Sequence, residues 1–244
     1  MKSIKILDCT LRDGGFVNDW KFGFGSIKSV ISRLDQSGIE IIEVGFLDNR
    51  RPIDHDRTIL PDTASFAPLL SDLSISNAMI VAMIDFGTCQ LSSLKSANET
   101  MIDGIRVIFK KKDQDKALAY LAEIKKKGYK IFVNPVSITG YSDDEIVSLI
   151  KKINTIDPYA VSVVDTYGLM HGKDLDHYFS IFNSRLKPEI SIGYHSHNNF
   201  QLAYANSIEL MKKDLDRNLI IDCSLYGMGK GAGNANTELI AMYL

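Results

Sequence analysis

Two histidines two residues apart, His195 and His197, are the residues in this chain best placed to do chemistry. They close an apolar run, 190–197, that reads as a strand. Side chains two apart on a strand point to the same face, so both imidazoles project together. Paired imidazoles suit a divalent metal better than a packed core. Asn198 and Asn199 follow, as expected where a strand gives way to a polar loop. His-x-His is nevertheless a short pattern, which two unrelated histidines in a surface turn also satisfy. A metal site needs further ligands, carboxylates above all, from elsewhere in the chain.

The apolar pattern says where those ligands would come from. Strands are predicted over 4–9, 39–46, 78–84, 104–109, 130–135, 159–165, 190–197 and 219–225. Helices are predicted over 24–36, 113–127, 142–154, 173–186, 201–213 and 236–244, with short ones over 63–70 and 88–96. In 113–127, Ala117, Tyr120, Leu121 and Ile124 share a face and Gly128 stops the helix. Ser142 with Glu145 forms a capping box. Eight strand-helix repeats with continuous apolar strands predict a closed (β/α)8 TIM barrel, an α/β fold, as one catalytic domain over 1–244. The turn after the first strand, Leu11-Arg12-Asp13-Gly14-Gly15, is not the G-x-G-x-x-G of an open dinucleotide-binding sheet. The last helix is barely two turns, hence short or truncated. A homodimer mate, another partner or a swapped segment is therefore expected over the seam between strands eight and one. The polar loop 47–61 is long for a compact domain, which points to function.

Composition narrows the class. The chain has 244 residues, 45% of them hydrophobic, enough for one barrel core. A net charge of −2 argues against a nucleic acid or a membrane surface as partner. The lysine runs 110–112 and 125–127 read as solvated helix edges. Cys9 and Cys223 lie in apolar runs, and no C-x-x-C occurs, so buried free thiols in a reducing compartment are expected. The chain start enters a strand at once and no long apolar run follows. That predicts no signal peptide, no membrane span and a cytoplasmic location.

In a barrel, reactive groups sit at the C-terminal ends of the strands. Those ends carry Arg12 and Asp13, Glu43, Lys110, Asn134, Asp165 and Tyr167, the two histidines, and the stretch from Gly227 to Asn234. A core-only explanation does not put so many polar types at strand ends together. The motifs L-D-x-T-L-R-D-G at 7–14, I-E-V-G-F at 42–46, D-T-Y-G at 165–168, H-x-H-N-N at 195–199 and G-M-G-K-G-A-G-N-A at 227–235 are similar to those of a known superfamily. The chain resembles the HMG-CoA lyase-like, metal-dependent TIM-barrel lyases and acyltransferases. These include isopropylmalate and homocitrate synthases, pyruvate carboxyltransferase domains and 4-hydroxy-2-oxovalerate aldolase. The match spans nearly the whole chain, and D-T-Y-G and G-M-G lean toward the aldolase branch.

The resemblance implies that Asp13, His195 and His197 hold the metal and that Asn234 completes the shell. Mn²⁺ or Mg²⁺ is the implied ion, with Zn²⁺ or Co²⁺ as alternatives. Arg12 then matches an enolate-stabilising arginine and Glu43 a catalytic or orienting glutamate. The strand-end rule, in turn, makes Asp165, Tyr167 and Asn134 the expected substrate-binding residues. The implied reaction is aldol cleavage of a 4-hydroxy-2-oxo acid to pyruvate and an aldehyde, or its reverse, through a metal-stabilised enolate. Physical chemistry agrees, because a divalent ion polarises the keto group while a guanidinium stabilises the developing oxyanion. Arg12 beside Asp13 puts both devices on one loop, provided the loop bends.

One departure stands out. Where the aldolases place a histidine two residues past the glycine, this chain has Phe16, and the Glu-Gln of the condensing synthases is Gly15-Phe16. His55, Tyr141 and His171 are the candidate replacement acid/bases. Alternatives to the metal aldolase are condensation of an acyl-CoA with a 2-oxo acid, with Lys110–Lys112 as the phosphate patch, and a Schiff-base aldolase using Lys110. A catalytically silent barrel acting as a binding module is the non-enzymatic alternative.

Overall fold

In the computed structural model, eight parallel strands close on themselves. Residues 3–244 are described; Met1 and Lys2, and with them the expected lead-in to the first strand, lie outside the described residues. The elements run β1 (Ile4–Asp8), α1 (Phe24–Gln36), β2 (Ile41–Leu47), β3 (Ile59–Leu60), α2 (Ala67–Leu70), β4 (Met79–Asp85) and β5 (Gly104–Phe109). They continue α3 (Gln114–Lys126), β6 (Lys130–Pro135), α4 (Asp143–Ile156), β7 (Ala160–Asp165), α5 (Gly172–Arg185), β8 (Ser191–Ser196), α6 (Ala203–Met211), β9 (Leu219–Cys223) and α7 (Thr237–Tyr243). Strand order is β1-β9-β8-β7-β6-β5-β4-β2, and β1 pairs with β2 to close the ring. The expected (β/α)8 TIM barrel is the observed fold.

Both strand faces are apolar because both are covered. Outward residues such as Ile105, Val107 and Phe109 join the large core beneath the helices. Inward residues Leu7, Cys9, Ile41, Val81, Phe132, Ala160 and Ile220 form a separate apolar plug inside the barrel. Two residues further along the same strands, on the same face, stand Glu43 after Ile41 and Asp222 after Ile220. The barrel interior therefore changes from an apolar floor to a charged layer on the way to its C-terminal mouth.

The Ser142 cap is present, with Glu145 N donating to Ser142 Oγ at 3.3 Å and Ser142 N to Glu145 Oε2 at 2.8 Å. Two expected short helices differ. Segment 88–96 holds only a 3₁₀ turn, Leu91–Ser93, with no buried residue of its own to extend it. Segment 63–70 divides into a 3₁₀ turn, Ala64–Phe66, and α2, whose Pro68 fits only a first helical turn. The loop 47–61 contains β3, which pairs with the end of β2 through Phe46 with Ile59 and Leu47 with Leu60. Gly45 makes this possible: its φ is +151°, and a Cβ there would sit 1.8 Å from Thr58 O. The register between β2 and β4 shifts at this point.

The last helix is short, as expected: α7 has seven residues, buries Thr237 and Ile240, and packs on β1 and α6. Cys9, Cys89 and Cys223 are buried and free. Among the described residues no helix is long and apolar enough to cross a membrane.

Candidate metal centre and active site

The turn after β1 bends as the site requires. Arg12 N and Asp13 N both donate to Cys9 O, at 3.1 and 2.7 Å, which winds the chain into a helical turn. Trp20 Nε1 donates to Arg12 O at 2.7 Å and fixes that turn from outside. Gly15 makes room for the indole, since a Cβ there would lie 2.0 Å from the ring. Both adjacent side chains then face inward, and Arg12 Nη1 donates to Asp13 Oδ1 at 2.6 Å.

His195 and His197 meet Asp13 from β8 and its end, with ring centroids 5.2 Å apart. One ligand atom from each of Asp13, His195 and His197 can be chosen so that all lie within 4.8 Å of one another. The second nitrogens are engaged behind the rings. His197 Nδ1 donates to Thr166 O at 2.7 Å, and His195 Nδ1 lies 3.1 Å from Asp222 Oδ2. An acceptor on Nδ1 fixes the tautomer that leaves Nε2 free for a metal. His197 Nε2 is buried without a hydrogen-bond partner, 3.3 Å from Asp13 Oδ2.

Asn234 completes the cluster. It bridges to His197 through the backbone, and its Nδ2 donates to Asp13 Oδ2 at 2.7 Å and Met228 O at 3.0 Å. Its Oδ1 is buried and unpartnered. Gly229 leaves space for this arrangement: a Cβ there would stand 2.3 Å from Asn234 Nδ2 and 2.8 Å from Asp13 Oδ2. Unsatisfied buried polar atoms are rare enough to need a cause. Two of them here, an imidazole nitrogen and an amide oxygen, converge beside a carboxylate. That donor set fits a divalent metal.

Behind the ligands runs a chain of buried charges. Glu43 Oε2 accepts from Arg12 Nε at 2.6 Å, and Arg106 Nη1 stands 3.1 Å from Glu43 Oε1 as an ion pair outside hydrogen-bond geometry. Arg106 Nη2 donates to Asp222 Oδ2, the oxygen that also faces His195. Glu43 and Arg106 have no exposed surface. Two members of this chain of charges, Arg106 and Asp222, were missed by the strand-end rule. Their signal was a charge interrupting an apolar strand, Arg106 in β5 and Asp222 in β9.

Electrostatics favours the ligand-ready state. Burial alone would raise Asp13, but Arg12 and the two histidines outweigh it and hold its carboxyl below the ordinary range. Burial also raises Asp222, and Arg106 with His195 brings it back below normal. Burial lowers His195, which favours the neutral imidazole. Among the carboxylates and guanidiniums, three of the former, Asp13, Glu43 and Asp222, stand against two of the latter, Arg12 and Arg106. One net negative charge remains, which attracts a cation; a bound divalent ion reverses the sign and favours a carboxylate substrate.

The remaining candidates separate. Asn134 is buried at the end of β6 with Oδ1 unpartnered. Tyr167 is 57% exposed and lines a mouth cavity of about 570 Å³ with Tyr141, Lys110 and Lys230. Asp165 is buried, and its oxygens accept from Leu169 N at 3.1 Å and Met170 N at 3.0 Å, which ties down the loop after β7. Glu43, expected as a catalytic or orienting residue, has both its oxygens facing guanidiniums, those of Arg12 and Arg106. Of the three candidate replacements for the missing histidine, only Tyr141 lines the mouth cavity. His55 Nε2 is engaged with Ser65 O at 3.1 Å, and His171 caps α5 beside Phe200. Phe16 is 42% exposed and packs edge-on against Trp20, with centroids 4.8 Å apart.

A barrel whose mouth gathers two histidines, an aspartate and a buried arginine belongs to the metal-dependent TIM-barrel lyases. The HMGL-like family profile matches residues 3–244, and the chain is a member of that family. It is 27% identical to 4-hydroxy-2-oxovalerate aldolase 2 of Comamonas testosteroni, over 98% of this chain and 67% of that one. It is 24% identical to an oxaloacetate decarboxylase of Mycobacterium tuberculosis, over 98% and 69%. The N-terminal domain of a Bacteroides vulgatus protein classed as an aldolase superposes with a TM-score of 0.79 at 26% identity, covering 98% of this chain and 79% of that one. The chain is an enzyme of the lyase type with a site for a divalent metal.

Proposed function

We propose that this protein cleaves a 4-hydroxy-2-oxo acid to pyruvate and an aldehyde, or runs the reverse addition, with Mn²⁺ or Mg²⁺ held by Asp13, His195 and His197. Zn²⁺ and Co²⁺ suit the same mixed donors. The observation that carries the reading is the sharing of Asp13 between the Arg12 guanidinium and the two imidazoles. When bound, the ion supplies Lewis acidity toward the keto and carboxylate oxygens of the substrate.

The chain's own residues do the rest. Arg12 presents a guanidinium that Glu43 and Asp13 hold rigidly, at the place where oxyanion charge develops as the C3–C4 bond breaks. Glu43 and Arg106 keep it in place, and Asp222 orients His195. Asn234 pins Asp13 and offers its free Oδ1 as a further ligand. Burial pushes the Tyr141 hydroxyl up to about 12, so at neutral pH it carries its proton and serves the aldehyde oxygen as donor in the addition direction; in cleavage the C4 hydroxyl gives its proton to solvent. The curated relatives converge on the same species, because aldol cleavage of 4-hydroxy-2-oxovalerate and decarboxylation of oxaloacetate each release pyruvate as its enolate.

Phe16 favours a second reading, oxaloacetate decarboxylation, since losing CO₂ needs no base for an alcohol. Pyruvate release should therefore be measured from a panel of 4-hydroxy-2-oxo acids and from oxaloacetate, after EDTA treatment and after adding Mn²⁺ or Mg²⁺. About one divalent ion per chain is expected, from the one three-residue ligand cluster described, with restoration of activity by the ion and loss of both in His195→Ala. A wild-type protein that binds no ion and responds to none rules out the reading.

A further inference from the structure

The mouth cavity is larger than a small aldehyde requires. Its volume is about 570 Å³, within the range of sites for much larger ligands. It adjoins the metal centre on two sides. Thr166, whose carbonyl accepts from His197 Nδ1, is part of its wall. Lys230, which follows the Gly229 that packs on Asn234 and Asp13, is another part.

The charge of its lining is one-sided. Lys110, Lys112 and Lys230 border the cavity against a single carboxylate, Asp85. Among the described residues none of these three lysines has a carboxylate within salt-bridge distance. Lys111, by contrast, is committed to Glu145 at 2.5 Å. Lys230 stands over the Phe16 ring, 5.4 Å from its centroid. Unpaired like charges around one concavity repel each other and focus a positive potential into it. The rim also carries hydroxyls. Ser137 adopts a left-handed conformation, φ 55°, that brings its Oγ 3.2 Å from Tyr167 OH. Tyr141 OH is buried and unpartnered at the same cavity. Neither an apolar two-carbon aldehyde nor solvent explains a pocket equipped this way.

Resting on the enolate chemistry proposed above, we infer that the aldehyde-derived half of the substrate carries an anionic group, a phosphate monoester or a carboxylate, received by Lys110, Lys112 and Lys230. In the addition direction a proton leaves pyruvate C3, the new bond joins C3 to the aldehyde carbon, and the aldehyde oxygen gains a proton. The anionic group is a spectator that fixes the acceptor, so its effect falls mainly on KM.

The test uses the metal-loaded enzyme and matched acceptors with pyruvate: glyceraldehyde 3-phosphate against glyceraldehyde, and succinic semialdehyde against butanal. The expected result is at least about a tenfold higher kcat/KM for an anionic member, carried by KM and weakened by added salt. Preference in the first pair alone identifies phosphate, and in the second pair alone carboxylate. The double variant Lys110→Gln/Lys230→Gln should bring the ratio within each pair below about threefold, while Lys110→Arg keeps it. Because the ratio is read within each variant, a general loss of activity cancels. Equal kcat/KM within both pairs overturns the inference, as does a preference that survives the double variant. Condensation with acetyl-CoA in place of the aldehydes also overturns it. Metal-dependent exchange of the pyruvate methyl protons into D₂O needs no acceptor and reads the enolate chemistry separately. Exchange without anion preference sinks this inference alone, whereas no exchange sinks both.

Discussion

Asp222 Oδ2 stands 3.1 Å from His195 Nδ1 and also accepts from the buried guanidinium of Arg106. A metal-facing imidazole is thus oriented from behind by a carboxylate that is itself fixed. Carboxylates behind ligating histidines set the tautomer and raise ligand basicity. Asp222→Asn is expected to lower Mn²⁺ affinity about 10- to 100-fold, read by titration of free Mn²⁺. Unchanged affinity in a variant that still folds would show that His195 is not held for a metal.

The pairing of Glu43 with both Arg12 and Arg106 makes a different prediction, about stability. Each of the three is almost wholly buried. Removing one partner of a buried ion pair strands the other's charge, at a cost of about 3–5 kcal/mol. Glu43→Gln and Arg106→Met should each destabilise the fold on that scale in urea unfolding. The double variant should cost clearly less than the sum, because each change removes the charge that the other strands. Strict additivity would mean that the two residues do not interact.

Gly229 tests the ligand side directly. Its missing Cβ leaves room for Asn234 Nδ2 and Asp13 Oδ2. Gly229→Ala must move one of them by several tenths of an ångström or more. A loss of at least about tenfold in metal affinity is expected, by analogy with disturbed outer-shell partners, with little change in far-UV circular dichroism. Wild-type metal affinity in Gly229→Ala would place the ion elsewhere.

The first two of these predictions each involve a residue that pattern reading alone does not find, Asp222 and Arg106. The barrel itself was legible: α1, β5 and β6 have the bounds their periodicity predicts. Asp13, His195 and His197 do gather in one cluster, a grouping that the resemblance implied and that the strand-end reading alone left open. Arg106 and Asp222 lie in mid-strand, where a charge reads as an anomaly until its partner across the barrel is known. That partner is 116 residues away in the chain, and no local pattern encodes such a pairing. Asp165 stands at a strand end, and the pattern does not show that its carboxylate accepts from the backbone of its own loop. The β3 pairing was hidden because it depends on Gly45 letting Thr58 O approach the backbone.

Asp8 should make stability depend on pH. It is buried at the end of β1 and accepts from Thr237 Oγ1 at 2.6 Å and Thr10 N at 2.9 Å. Burial pushes its carboxyl up to about 6, with those hydrogen bonds pulling the other way. The folded state therefore holds this proton more tightly than the unfolded chain, where an aspartate titrates near 3.9. Where the folded state binds more protons, stability falls as pH rises. The contribution of Asp8 is fully present below about pH 4 and is lost by the time pH passes about 6, a change of roughly 3 kcal/mol. Asp8→Asn cannot titrate. The stability of the wild type minus that of Asp8→Asn should therefore fall between pH 4 and pH 7 in urea unfolding, and a flat difference rejects the burial argument.

Phe16 separates the two reactions that share an enolate. Its ring sits at the mouth, packed edge-on against Trp20 and covered by Lys230. The aldolases place a histidine at this point of the turn, and a positioned base contributes about 10²–10⁴-fold to proton transfer. Phe16→His should therefore raise kcat for cleavage of a 4-hydroxy-2-oxo acid by at least about tenfold, an allowance below that range for an imidazole not evolved for its setting. Decarboxylation of oxaloacetate has no alcohol to deprotonate, so its rate should change little. The ratio of the two rates in one preparation is the measurement, because it cancels differences in metal loading. A parallel rise in both would show that the new imidazole acts on the enolate rather than on the hydroxyl. A fall in cleavage alone would mean that the aromatic cluster of Phe16, Trp20 and Phe46 shapes the acceptor site.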